Sequence, residues 1–205
     1  MKKFFLLAIS LLILQPINLV YASDYSYKYD EHDDDEKCPV GLVNGLTLDQ
    51  EFGEGSAKIT HCLSNRTRVK LMIQANQFCM DNVSNAECTR PYALGNLVKI
   101  IEDYEITHGM KPGRDYEIAV IAHTAGGPLM ISDTSKNQFA PRVSALLEKG
   151  VKFYLCQNAV RAMINTGLLP AGDTTANIVP GVEYVTAGLT AVADFQYQGY
   201  VYVQP

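Results

Sequence analysis

Several signatures that would name a chemistry outright are missing from these 205 residues. There is no Gly-x-Ser-x-Gly stretch, so a serine nucleophile elbow is excluded. No Gly-x-Gly-x-x-Gly follows the first strand-like segment, and Gly126-Gly127 alone marks only a turn. Gly53-Glu54-Gly55-Ser56-Ala57-Lys58 has a superficial likeness to a phosphate loop, without its spacing or a preceding buried strand. The EF-hand pattern is absent, which weakens a calcium role for the acidic run Asp30-Glu31-His32-Asp33-Asp34-Asp35-Glu36. No Cys-x-x-Cys pair occurs, which argues against structural zinc even with His61 beside Cys62. No metal and no cofactor are expected. Positive charge is also short, with 17 Lys and Arg against 22 Asp and Glu and a formal net charge of −5. That balance argues against nucleic acid and against an anionic membrane surface.

What is present begins with an export signal. Lys2 and Lys3 precede the apolar run Phe4–Leu14, and Val20-Tyr21-Ala22 offers a cleavage point before Ser23. Gln15 and Pro16 interrupt the run, which is short for a membrane span. Residues 1–22 therefore read as a signal peptide, and the mature chain as periplasmic or secreted, with no membrane association after cleavage. Removal takes away two lysines and no acid, moving the formal charge from −5 to −7. Residues 23–67 read as an extension: a loosely attached acidic leader to Lys37, then Gly-containing turns and a short hairpin.

Export changes the meaning of the five cysteines. Cys38, Cys62, Cys79 and Cys88 form an even set able to make two disulfides, with three connectivities open. The favoured pairing closes the short polar loop through Cys79–Cys88 and ties down the extension through Cys38–Cys62. Cys156 is then the odd thiol, the one cysteine in the second half of the chain. It ends the apolar run Val151–Leu155 and opens a helix-like stretch. Unpaired backbone N–H groups and a helix dipole at such a junction favour thiolate, the reactive form. The competing reading is a small buried hydrophobe.

Residues 68–205 alternate strand and helix patterns. Val69–Ile73, Tyr116–Ala122, Val151–Leu155, Val182–Thr186 and Val201–Val203 read as strands. Pro91 to about His108, Pro141–Lys149, a stretch from Gln157 to Thr166, and Gly188–Gln198 read as helices. In the last, Leu189, Val192, Ala193 and Gln196 lie near one face. The order predicts an α/β fold: three layers, doubly wound, with a mostly parallel sheet of about five strands. Chemistry in such folds sits outside the carboxyl ends of strands, where both His123 and Cys156 fall.

Two passages carry a family resemblance. One is Leu147-Glu148-Lys149-Gly150-Val151-Lys152-Phe153-Tyr154-Leu155-Cys156-Gln157-Asn158. The other is the ending, made of Leu168-Leu169-Pro170, then Val182-Glu183-Tyr184-Val185-Thr186-Ala187-Gly188, then Phe195-Gln196-Tyr197-Gln198-Gly199-Tyr200-Val201-Tyr202-Val203-Gln204-Pro205. Over residues 68–205 the chain resembles the DsrE/DsrF-like family of small sulfur-relay-type α/β proteins. The resemblance implies a compact, multimeric α/β domain, and in some relatives the cysteine matching Cys156 carries sulfur as a persulfide passed between proteins. His123 matches a histidine often found after this strand, although Thr124-Ala125-Gly126 stands where an immediate glycine is more usual. The 76–90 loop with its two cysteines looks like an addition.

Two functional readings follow. In the first, Cys156 attacks a sulfane or disulfide sulfur, His123 supplies a proton or pairs with the thiolate, Asn158 orients a ligand and Arg161 attracts an anionic sulfur species. The partners would be a sulfur-donor or acceptor protein and further copies of the chain. In the second, Cys156 is structural and the protein is a non-catalytic homo-oligomeric module, with Tyr197, Tyr200 and Tyr202 at an interface. For His123, Asn158 and Arg161 the plain alternatives are a turn histidine, a helix cap and a solvated charge.

Overall fold

Strand β1 (Val69–Ala75) buries Leu71, Met72 and Ile73 in succession. Successive side chains point to opposite sides, so consecutive burial requires both sheet faces to be covered. The computed structural model, which describes residues 48–59, 68–81, 83–172 and 174–205, meets that requirement. Strands β1, β2 (Tyr116–Ala122), β3 (Lys152–Cys156), β4 (Glu183–Val185) and β5 (Val201–Val203) form one sheet ordered β4-β3-β2-β1-β5. Every pairing is parallel. The expected α/β architecture is present.

The two faces are covered unequally. Helices α3 (Leu94–Glu102), α4 (Ala140–Glu148) and α5 (Gln157–Asn165) share one large core with Ile73, Val120 and Phe153. Helix α6 (Gly188–Tyr197) covers the other face, with Met72, Ala119, Ile121 and Tyr200. This division follows from topology. The chain steps β1 to β4 in one direction, then crosses back through α6 to place β5 beyond β1. Gly150 (φ +86°) and Gly167 (φ +73°) follow α4 and α5, supplying the left-handed residue that ends a helix without a Cβ clash.

Several expectations change in detail. The segment predicted as turns and a hairpin contains two short helices, α1 (Leu48–Phe52) and α2 (Ser56–Ile59). The helix expected from Pro91 begins at Leu94, because Ala93 has a φ of +65° and Pro91 is held in a bridge with Cys79. It continues past Glu102 as a π-helical turn, Asp103–Thr107. On α6 the inward stripe is Gly188, Ala191, Val192 and Phe195, whereas Leu189, Ala193 and Gln196 face outward. Both stripes have helical spacing. The sheet selects the one that brings Gly188 inward, where any larger residue would strike His123.

Cys79 and Cys88 are joined, as the loop reading expected. Disulfides persist in oxidising compartments, so this bond accords with an exported chain. Cys38, Cys62, His61, residues 1–22 and the acidic run 30–36 lie outside the described residues. Among the described residues no helix is long and apolar enough to cross a membrane.

Candidate functional site

The register builds the site. Ala75, Ala122 and Leu155 align across β1, β2 and β3. The next residues, Asn76, His123 and Cys156, therefore lie side by side at the carboxyl edge, and Cys156 pairs with Val185 of β4. Alternation assigns the faces. Gln74 follows Met72 by two, His123 follows Ile121 by two, and Cys156 follows Tyr154 by two. Tyr202 pairs with Met72. Gln74, His123 and Tyr202 thus belong to the α6 face, while Cys156 lies at the boundary, bonded to Gly188 of α6 and packed into the large core.

This edge is also where the topology switches. Helix α5 leaves β3 toward the large core, while α6 follows β4 on the opposite face. Open α/β sheets bind ligands in the crevice at such a point. Cys156 is the residue that precedes α5, and its Sγ accepts a hydrogen bond from the Gly188 N–H at the start of α6, at 3.2 Å. Cys156 thus opens α5, while the bond to its sulfur comes from the start of α6. A Cβ on Gly188 would lie 2.6 Å from His123 Cβ, so the glycine touches both the thiol and the imidazole-bearing residue. Cys156 is unpaired and 4% exposed.

His123 is held from several sides. Its N–H donates to Ala75 O at 3.0 Å, and its carbonyl accepts the Gly126 N–H at 2.9 Å. The following Thr124 has a φ of +47°, a costly conformation for a β-branched residue, and its hydroxyl lies 2.9 Å from Asn76 O. Gly126 permits this fold-back, since a Cβ there would sit 2.0 Å from Ala75 O. On the ring, Nε2 contacts the Gln74 side-chain amide nitrogen, and Gln74 Oε1 accepts from the Tyr202 hydroxyl at 2.5 Å. Burial holds the His123 pKa below its ordinary value. Burial, with Tyr92 nearby, raises that of Tyr202.

The structure therefore brings together two of the four residues proposed from sequence. Asn158 and Arg161 are exposed on α5 and engage each other, with Arg161 Nη1 donating to Asn158 Oδ1 at 3.2 Å. Asn158 is not the residue that caps the helix; Cys156 holds that position. Gln74, Tyr202 and Gly188 were not singled out as site residues. A glutamine inside an otherwise buried strand was the available signal for Gln74, because such a group requires a partner. His108 stands apart, with Nε2 3.3 Å from Asp103 Oδ2. Among the described residues no group of three or more His, Cys, Asp or Glu side chains could hold a metal.

Fold and site define an open, all-parallel α/β protein with a buried cysteine at the sheet's switch point. A solved protein of unknown function, MTH1491 from Methanobacterium thermoautotrophicum, is similar at 22% identity and a TM-score of 0.45, over 68% of this chain and 99% of that one. No family model and no curated protein matches the chain.

Proposed function

We propose that this is an exported DsrE-like protein that accepts and passes on sulfur through Cys156. The observation that carries the reading is the Gly188 N–H bond to Cys156 Sγ at the junction of α5 and α6. The first N–H of a helix has no intrahelical acceptor, and that of α6 is given to this sulfur. Transfer would proceed by attack of the Cys156 thiolate on the outer sulfur of a persulfide donor. One S–S bond forms on Cys156 as the donor's S–S bond breaks, and the donor leaves as a thiolate, so no external oxidant is required.

The test is mass spectrometry of protein purified without reductant, then offered a small-molecule persulfide. The expected result is a gain of about 32 Da, one sulfur, on the Cys156 peptide and its absence in Cys156→Ser. A Cys156 peptide that never gains sulfur, while the Cys79–Cys88 bond remains intact, overturns the reading.

A second reading rests on the same burial. If the thiol is structural, the protein is a homo-oligomeric module. Leu189, Tyr197 and Val201, which are 68%, 94% and 62% exposed, are then the contact residues. Tyr200 is buried against the sheet and is not available for that surface. Fast alkylation of folded protein near neutral pH favours the sulfur handler; persistent inertness favours the module.

A further inference from the structure

We propose that Gln74 and Tyr202 are positioning residues that hold the His123 ring with its proton on Nδ1, so that Nε2 does not serve as a base toward Cys156. This inference rests on the sulfur-handling reading of Cys156. It comes from counting donors along one chain of side chains.

A phenol has a single proton. Tyr202 Oη is near two acceptors, Gln74 Oε1 at 2.5 Å and Gln204 Oε1 at 3.2 Å. The shorter contact assigns the proton to Gln74. Gln74 Oε1 is then the acceptor end of the amide, and its NH2 group faces His123 Nε2. An amide NH2 can only donate, so Nε2 must present its lone pair, and a neutral ring must carry its proton on Nδ1. Were the Tyr202 proton directed to Gln204 instead, the amide would turn over and Nε2 would be protonated. The tyrosine of the last strand therefore sets the tautomer of a histidine two strands away.

His123 ends β2 beside Cys156 at the end of β3, and both adjoin Gly188, so the fixed ring sets the dipole beside the thiol. Tyr202 and Gln74 touch no reacting atom and act through His123.

The experiment is long-range proton–nitrogen NMR on 15N-labelled full-length protein, with His123 assigned by a His123→Gln variant. The wild type should show the Nδ1-protonated pattern. In Gln74→Glu a carboxylate faces Nε2 and can only accept, so the pattern should switch to protonated Nε2. In Tyr202→Phe the amide loses its orienting donor and the ring should populate both tautomers. Loss of one fixed hydrogen bond should change the Cys156 alkylation rate about threefold to tenfold in both variants.

A protonated Nε2 in the wild type, or a ring pattern indifferent to Gln74→Glu, overturns the assignment. A tautomer that switches while alkylation does not change overturns the positioning role and leaves the sulfur reading standing. A wild-type Cys156 that neither labels nor takes up sulfur, with the ring pattern as expected, sinks the sulfur reading and supports the ring assignment.

Discussion

The Gly188 N–H donates to Cys156 Sγ across 32 residues of sequence, joining the first turn of α6 to the last residue of β3. A side chain at Gly188 would collide with His123 Cβ and Cγ, neither of which can swing aside as a flexible tip would. Gly188→Ala should therefore push α6 away from β2 and lengthen the bond to sulfur. The expected cost is about 1–3 kcal/mol of stability. Urea unfolding measures that cost, and thiol labelling at native conditions should show a changed Cys156 rate. Wild-type values for both would mean that the contact is not made in solution.

The Cys79–Cys88 bond closes a short loop, with a sequence separation of 9. In the chain-entropy account such a loop contributes about 2–3 kcal/mol by restricting the unfolded chain. Both cysteines are buried in the large core, so Cys88→Ser also introduces a polar group there, whereas a serine at 79 has the Arg90 carbonyl in reach. A Cys79→Ser, Cys88→Ser double variant should unfold at distinctly lower urea concentration, and reductant should lower the wild-type transition by more than that of the variant, which keeps Cys38 and Cys62. Peptide mapping without reductant should find Cys156 outside any bond to Cys79 or Cys88.

Sequence carried the strand and helix order because the runs at β1, β2 and β3 are buried on both faces and their connections carry helical spacing. It also carried the carboxyl edge, since His123 and Cys156 end neighbouring strands. The orientation of α6 was not legible. Two stripes of that helix are apolar at helical spacing, and only the approach of Gly188 to His123 decides between them. The polar chain from Tyr202 to Gln74 was hidden for a different reason. Those residues are 128 apart, and the pairing of β5 with β1 that aligns them is a tertiary fact. Asn158 and Arg161 looked promising by proximity to Cys156, yet helix geometry turns both to solvent.

Two glycines should respond oppositely to the same substitution. Gly126→Ala would set a methyl 2.0 Å from Ala75 O, a backbone atom at the end of β1. The turn after β2 would have to lift from β1, at a cost of about 3 kcal/mol or more. Gly95 lies inside α3 with nothing within 4 Å of its added Cβ. Gly95→Ala should stabilise the protein by about 0.5–1 kcal/mol, since alanine is the better helix former. Thermal and urea melts of the two single variants check both signs, and equal effects would contradict the packing described for the 123–130 turn.

The pH dependence of stability should carry a signature of His123. Burial depresses its folded pKa below the ordinary value of 6.5. Between 6.5 and that lower folded value the unfolded chain binds the proton and the native ring does not. Stability therefore rises with pH through this window and is lost as pH falls, because acid draws the chain toward the form that can take up the proton. Above the window both states are neutral at this site and the contribution is flat. His123→Gln keeps a polar side chain but cannot titrate, so its stability should fall less steeply on acidification than the wild type's. The comparison is a series of urea melts from near neutral to mildly acidic pH. Parallel curves for the two proteins would show that the ring is solvated, and would remove the buried imidazole on which the tautomer assignment depends.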